Sequence, residues 1–187
     1  MNILITGGAG FIGSQLAHHL VQKGYNVTLL DDMSFGHKDN ILVNGNPIAP
    51  LIVEDVRSPN IVNIMKGMDY VYHFAAIGTL PVCQENPQYA YDVNVAGTAN
   101  VLESARLNKI KRVIFSSTSA MYENAKTYPV VEDNYDEINP DLTYSVSKYL
   151  AEQVCKTYNT LYGLDISIIR YFNVYGPHQD FKRKSPP

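Results

Sequence analysis

Short runs rich in Val, Ile, Leu and aromatic residues alternate along this chain with longer stretches in which apolar positions return every three or four residues. The first pattern suits a strand buried on both faces and the second a helix packed on a sheet, so their alternation predicts βα units and a parallel sheet. Strands are expected at Asn2–Thr6, Asn26–Leu30, Ile48–Val53, Tyr70–His73, Arg112–Ser116 and Ile166–Arg170. Helices are expected at Phe11–Lys23, Pro87–Asn108 and Asp141–Tyr162. Gly24 and Gly163 fall where a helix should stop before the next strand begins. The stretch from Tyr122 to Asn139 holds Pro129, many acids and no period, which predicts a long loop, and a long loop in a compact domain is often functional.

Composition narrows the class of molecule. With 187 residues, 45% hydrophobic and 18% charged, the chain can bury one substantial core and is expected to form one domain. A net charge of -3 gives no electrostatic footprint for nucleic acid, and the cluster Lys182, Arg183 and Lys184 reads as a solvated tail. Cys83 and Cys155 are too few for a disulfide framework and lack metal-ligand spacing. No apolar run reaches the roughly 20 residues that span a bilayer. These features together predict a cytoplasmic protein that needs no metal.

The first strand runs straight into TGGAGFIGS, which sets Gly7, Gly10 and Gly13 at the opening of the next helix. Glycines there let backbone approach a pyrophosphate at the positive end of the helix. The motif is answered 18 residues beyond Gly13 by Asp31, at the end of the second strand, where a carboxylate can accept hydrogen bonds from ribose hydroxyls. Asp31 and Asp32 also repel a 2′-phosphate, and no Arg lies beside them, so the expected ligand is NAD rather than NADP.

Two tyrosines each have a lysine four residues on: Tyr122 with Lys126 in YENAK and Tyr144 with Lys148 in YSVSK. Composition alone yields about one such pair by chance, so spacing cannot choose between them. Context does. Tyr144 opens an expected helix with Asp141 as a candidate N-cap and Val146, Leu150 and Val154 as its apolar stripe, which puts Lys148 one turn away on the same face. Tyr122 and Lys126 fall in the irregular stretch, where a spacing of four fixes no geometry.

At this point the chain resembles the extended short-chain dehydrogenase/reductase family, and within it the nucleotide-sugar epimerases and dehydratases. TGGAGFIGS, the Asp31 pair, EDVR at Glu54–Arg57, HFAA at His73–Ala76, NVAGTANVLE at Asn94–Glu103, SSTSAMY at Ser116–Tyr122, YSVSK and RYFNVYGP at Arg170–Pro177 occur in that family's usual order. The resemblance implies an α/β fold: a Rossmann-type doubly wound parallel sheet with helices on both faces. It implies NAD as cofactor, with Gly7, Gly10, Phe11, Ile12 and Gly13 at the pyrophosphate and Asp31, Asp32 and Ser34 at the adenosine ribose. Asp55 and Val56 would meet the adenine, Phe74, Ala75 and Ala76 would line the path of the phosphate and ribose, and Asn94 would brace a loop beside the cofactor. Ser116, Tyr144, Lys148 and Tyr171 would complete the cofactor contacts, and Thr118 and Asn173 would touch the sugar.

Catalysis is expected from Thr118, Tyr144 and Lys148. A free phenol has a pKa near 10, so at pH 7 the phenolate form is short by roughly 4 kcal/mol, which Lys148 and a positive nicotinamide ring can largely supply. Ser119 and Ala120 follow Thr118, where the 4,6-dehydratases carry an Asp-Glu pair, so the resemblance favours 4-epimerisation of a nucleotide sugar, a UDP-sugar foremost. Dehydratase or reductase chemistry, or a non-catalytic NAD-binding regulatory module, are the alternatives. Glu123 stands where the family usually has Gly. The family also implies a homodimer through a four-helix bundle, for which Val101, Ala105, Val154 and Tyr158 are candidate contacts. Because family members continue well beyond RYFNVYGP into a smaller substrate domain, residues 1–187 are expected to be an N-terminal NAD-binding fragment with negligible activity of its own.

Overall fold

The computed structural model describes residues 1–132, 138 and 140–179. A parallel six-stranded sheet organises them: β1 (Asn2–Thr6), β2 (Asn26–Asp31), β5 (Leu51–Val53), β6 (Tyr70–His73), β7 (Arg112–Thr118) and β8 (Ile166–Tyr171) lie in the order β5-β2-β1-β6-β7-β8. A two-residue hairpin, β3 (Leu42–Val43) with β4 (Asn46–Pro47), precedes β5. The chain therefore winds outward from β1 through β2 to β5, then returns to β1's other side and builds β6, β7 and β8. That reversal leaves a crevice beyond the carboxyl ends of β1 and β6, where open α/β sheets place their ligands.

Alternation along β1 explains the layers. Ile3 and Ile5 face one way and pack with Ala17 and Leu20 of α1 (Phe11–Gln22). Leu4 faces the other way, into a larger core shared with Val71, Val113 and Phe115 and with α5 (Thr98–Leu107) and α6 (Thr143–Tyr162). Three shorter helices, α2 (Ile61–Ile64), α3 (Leu80–Glu85) and α4 (Pro87–Tyr91), join these layers. Gly163 ends α6 in the left-handed region at φ 67° and Gly24 follows α1 at φ 81°, as the glycine positions led one to expect.

Several boundaries differ from the expectation. The third strand is only Leu51–Val53, because Ile48 instead donates its N–H to the Ile41 carbonyl at the hairpin. The helix expected over Pro87–Asn108 is α4 and α5 joined by a π-helical segment, Asp92–Gly97. Asp141 does not cap α6: the helix starts at Thr143 with Leu142 at the cap position, and the Thr143 N–H and hydroxyl both donate to Gln84 Oε1, at 3.4 and 3.0 Å. The irregular stretch lies partly outside the described residues, and its first residue, Tyr122, ends a 3₁₀ turn that begins at Ser119.

Candidate active site

The turn after β1 is built from glycines that nothing larger could replace. Gly7 has φ 68°, and a Cβ there would sit 2.7 Å from the backbone nitrogen of Ala75. A Cβ on Gly13 would lie 2.2 Å from the Gly7 carbonyl oxygen. Gly10, at the cap of α1, brings no side chain to its first turn, which also lacks acids, so the amide end of the helix opens toward the crevice. Beside the turn, Asp31 is buried, with its Oδ2 accepting from the Ala9 N–H and its Oδ1 from the Met33 N–H, both at 2.9 Å. Burial pushes the Asp31 carboxyl above the usual range, against the pull of those amides. Exposed Asp32 accepts from the hydroxyl and N–H of Ser34. Asp55 sits below the usual range because the Arg57 guanidinium donates to it.

Gly7, Gly10, Phe11, Asp31, Asp32 and Ser34 line a cleft of about 380 Å³ together with Asp55, Val56, Phe74, Ala75 and Ala76. At Phe11 and Gly78 it adjoins a second cleft of about 570 Å³, which holds Ile12, Ser116, Thr118, Tyr144, Tyr171 and Asn173. Thus most residues expected at adenine, ribose and pyrophosphate line the first cleft and those expected at the sugar line the second, whereas Ile12, expected at the pyrophosphate, lines the second cleft and Lys148 lines neither. Gly13 lies buried behind the turn. Asn94 stands beneath the first cleft, its amide oxygen accepting from the Ile77 N–H at 2.8 Å and its NH₂ donating to the Ile77 carbonyl at 3.1 Å. It braces the loop that forms the rim.

The two Tyr/Lys pairs have different surroundings. Tyr144 opens α6 on the wall of the second cleft. Lys148, one turn on, is buried, with Nζ 4.6 Å from the centre of the Phe115 ring. Desolvation lowers its pKa to about 8, and the neighbouring Cys155, Glu152 and Cys83 act the other way. At neutral pH it is therefore a cation held in an apolar setting. Tyr122 instead accepts a hydrogen bond from Arg170 Nη1, and Arg170 pairs with the fully buried Glu152 at 2.7 Å. Glu152 also accepts from Ser117, next to Thr118. The Thr118 oxygen accepts from the Ala120 N–H at 3.1 Å, which leaves its hydrogen to donate into the cleft.

Sequence reasoning missed parts of the first cleft. His37 and Asn40 reach it from the loop after β2, and His178 and Gln179 close its far end. Asn40 is buried and donates to the Ala9 carbonyl at 2.9 Å. No local motif marks these positions. His178, at φ 68°, is brought to α1 by side-chain contacts with Gln15 and Ser14 across more than 160 residues of chain.

A glycine-forced turn at a helix end, an acid at the end of the next strand and a cleft across the sheet's reversal point define a Rossmann-type nucleotide-binding fold. More narrowly, the chain belongs to the NAD dependent epimerase/dehydratase family, whose model matches residues 3–186. It is 33% identical over 184 residues to the UDP-glucose 4-epimerase of Mycolicibacterium smegmatis, covering 96% of this chain and 58% of that protein. It is 40% identical over 180 residues to the UDP-N-acetyl-alpha-D-glucosaminuronate decarboxylase of Bacillus cytotoxicus, covering 93% and 54%. Among solved structures, the UDP-N-acetylglucosamine 4-epimerase of Methanobrevibacter ruminantium superposes with a TM-score of 0.92 at 34% identity, covering all of this chain and 59% of that one. The chain thus spans little more than half the length of the relatives it matches.

Proposed function

We propose that the chain binds NAD and carries the acid/base apparatus for 4-epimerisation of a nucleotide sugar, a UDP-sugar foremost. The observation that carries this reading is the shared wall: Thr118 and Tyr144 face one cleft, which adjoins the glycine-turn cleft at Phe11 and Gly78. NAD, when bound, supplies a reversible hydride acceptor. Tyr144, as phenolate, takes the proton of the sugar C4 hydroxyl as the C4–H bond gives up its hydride, and it returns that proton when hydride comes back to the other face. Lys148 stabilises the phenolate from below, and Thr118 holds the reacting oxygen by donating to it. Asn173 lies on the same wall as a sugar contact.

Glu123 supports a second reading. Its carboxylate also lines the second cleft, and Ser145 donates to it at 3.5 Å, so a 4-keto sugar formed there would have an acid nearby for decarboxylation or dehydration. Assaying the protein at its natural length with UDP-, dTDP-, GDP- and CDP-sugars separates the two by product. Under the epimerase reading, Tyr144→Phe lowers turnover at least ~100-fold with NAD still bound. Undiminished turnover would sink the assignment.

The proposal includes a cytoplasmic homodimer built on α5 and α6, with one correction. Val101 and Ala105 are fully buried in the chain's own core, and Val154 and Tyr158 pack against it, so these residues cannot all serve a partner. The exposed apolar side chains on those helices are Leu107, Leu150, Leu161 and Tyr162. A strict monomer in sedimentation at tens of micromolar would remove the dimer. No helix of the described residues is long and apolar enough to cross a membrane.

A further inference from the structure

His73, fully buried at the end of β6, is the one imidazole in the interior of the sheet and belongs to neither cleft. Its two ring nitrogens meet hydroxyls on different elements: Nδ1 lies 2.7 Å from Thr6 Oγ1, on the strand that runs into the glycine turn, and Nε2 lies 3.0 Å from Thr98 Oγ1, on α5. The direction of each bond is determined. Thr98 gives its only hydroxyl hydrogen to the Asn94 carbonyl, at 2.6 Å, so it can only accept from His73. Nε2 therefore carries the proton, and Nδ1 accepts from Thr6, whose oxygen in turn accepts from the Ala75 N–H at 3.3 Å. Burial, and secondly the charge of Lys148, lower the imidazole pKa to about 3, so the ring stays neutral across the working range.

The chain of bonds continues. Asn94 holds Ile77 at the cleft rim and donates to Ser147 Oγ at 2.9 Å, and Ser147 gives its hydrogen to the backbone carbonyl of Tyr144 at 2.7 Å. One polar path thus runs from the strand under the glycine turn, through the π-helical segment, to the first turn of α6. The His73 ring also lies 5.8 Å from Phe115, the ring on which Lys148 rests. An ordinary satisfied core histidine would serve stability alone. Here each partner sits under a different wall of the site.

We propose that His73 is a positioning residue, an Nε2–H donor that sets the placement of Tyr144 and Lys148 relative to the glycine turn through Thr98, Asn94 and Ser147. The inference rests on the epimerase reading for its kinetic consequence and on geometry alone for the rest.

The test uses the natural-length protein loaded with NAD and two substitutions. His73→Phe keeps the ring and deletes both hydrogen bonds; Thr98→Val keeps the shape and deletes the middle of the path. Turnover and KM are measured with UDP-glucose, and ionisation of Tyr144 is followed by absorbance near 295 nm as the difference from a Tyr144→Phe background. Both variants should bind NAD, lose at least ~10-fold in kcat with KM nearly unchanged, and titrate Tyr144 about one pH unit higher, since small misplacements of reacting groups carry large rate costs. A folded variant of either kind with unchanged kcat and unchanged Tyr144 titration, whatever its melting temperature, overturns the proposal. If His73→Phe does not fold, Thr98→Val decides. A wild-type protein that turns over no nucleotide sugar removes the epimerase reading instead, and the Tyr144 titration then decides the role of His73 alone.

Discussion

A lysine four residues beyond a tyrosine was legible as a candidate pair, but what surrounds Lys148 was not. On an amphipathic helix a lysine reads as part of the solvated face, and nothing near it in sequence announces that Phe115, from a strand more than 30 residues earlier, lies beneath its ammonium. The consequence is a stability cost. Lys148 is protonated in both folded and unfolded chains below pH 8, and its folded pKa of about 8 lies below the unfolded value of 10.5. Between those values the unfolded chain binds the extra proton, so stability rises with pH through that window and the penalty is fully present below it. The gap of about 2.5 units corresponds to about 3 kcal/mol. Lys148→Met should therefore stabilise the NAD-free protein at pH 7 by up to that amount, with the gain shrinking toward pH 10, while abolishing turnover. Urea unfolding of both proteins at pH 7 and pH 10 checks it, and a variant less stable than wild type at pH 7 would contradict it. His73 was hidden for the same reason: HFAA fixes its place at a strand end, but its partners Thr6 and Thr98 come from other elements.

At the scale of elements, periodicity found five of the six sheet strands to within a residue or two and the starts of α1 and α4, because buried faces impose the spacing of apolar residues. It did not find the π-helical segment Asp92–Gly97, one widened turn within a longer helical run, inside which Asn94 makes its bonds to Ile77 and Ser147. Nor did the loop after β7 reveal that Tyr122 belongs with Arg170. That contact is part of a pin through three elements: Ser117 on β7 and Arg170 on β8 both donate to Glu152 on α6. Removing one member strands a fully buried carboxylate. Arg170→Met is expected to cost about 3–5 kcal/mol in urea unfolding, and the double variant with Glu152→Met to recover most of it, because a buried pair replaced by apolar side chains of similar size loses little. Tyr122→Phe, which deletes one hydrogen bond of the pin, should cost only about 1 kcal/mol and leave turnover nearly intact. A loss below 1 kcal/mol for Arg170→Met would show that the pin is slack.

For the whole molecule, the doubly wound sheet followed from the alternation of elements, since parallel strands joined by right-handed crossovers leave few ways to wind. The reversal between β1 and β6 then fixes where a ligand lies, and both clefts open there. What sequence could not supply was the far wall, which His178 and Gln179 complete from the other end of the chain. The acid pair at the end of β2 gives this architecture its last consequence. Asp31 is buried and already engaged by two backbone amides, whereas Asp32 is exposed beside Ser34, so a 2′-phosphate brought to that corner would meet two carboxylates with no Arg among the described residues lining the cleft. A ligand that binds only the folded chain raises its stability by about 2.7 kcal/mol at 100 times its dissociation constant. NAD should therefore raise the melting temperature of the 187-residue chain by several degrees, and NADP at the same concentration should raise it far less. Asp32→Ala should narrow that difference more than it weakens NAD, because the Asp31 contacts to Ala9 and Met33 remain. Equal shifts with the two nucleotides on the unaltered chain would show that the acid pair does not choose between them.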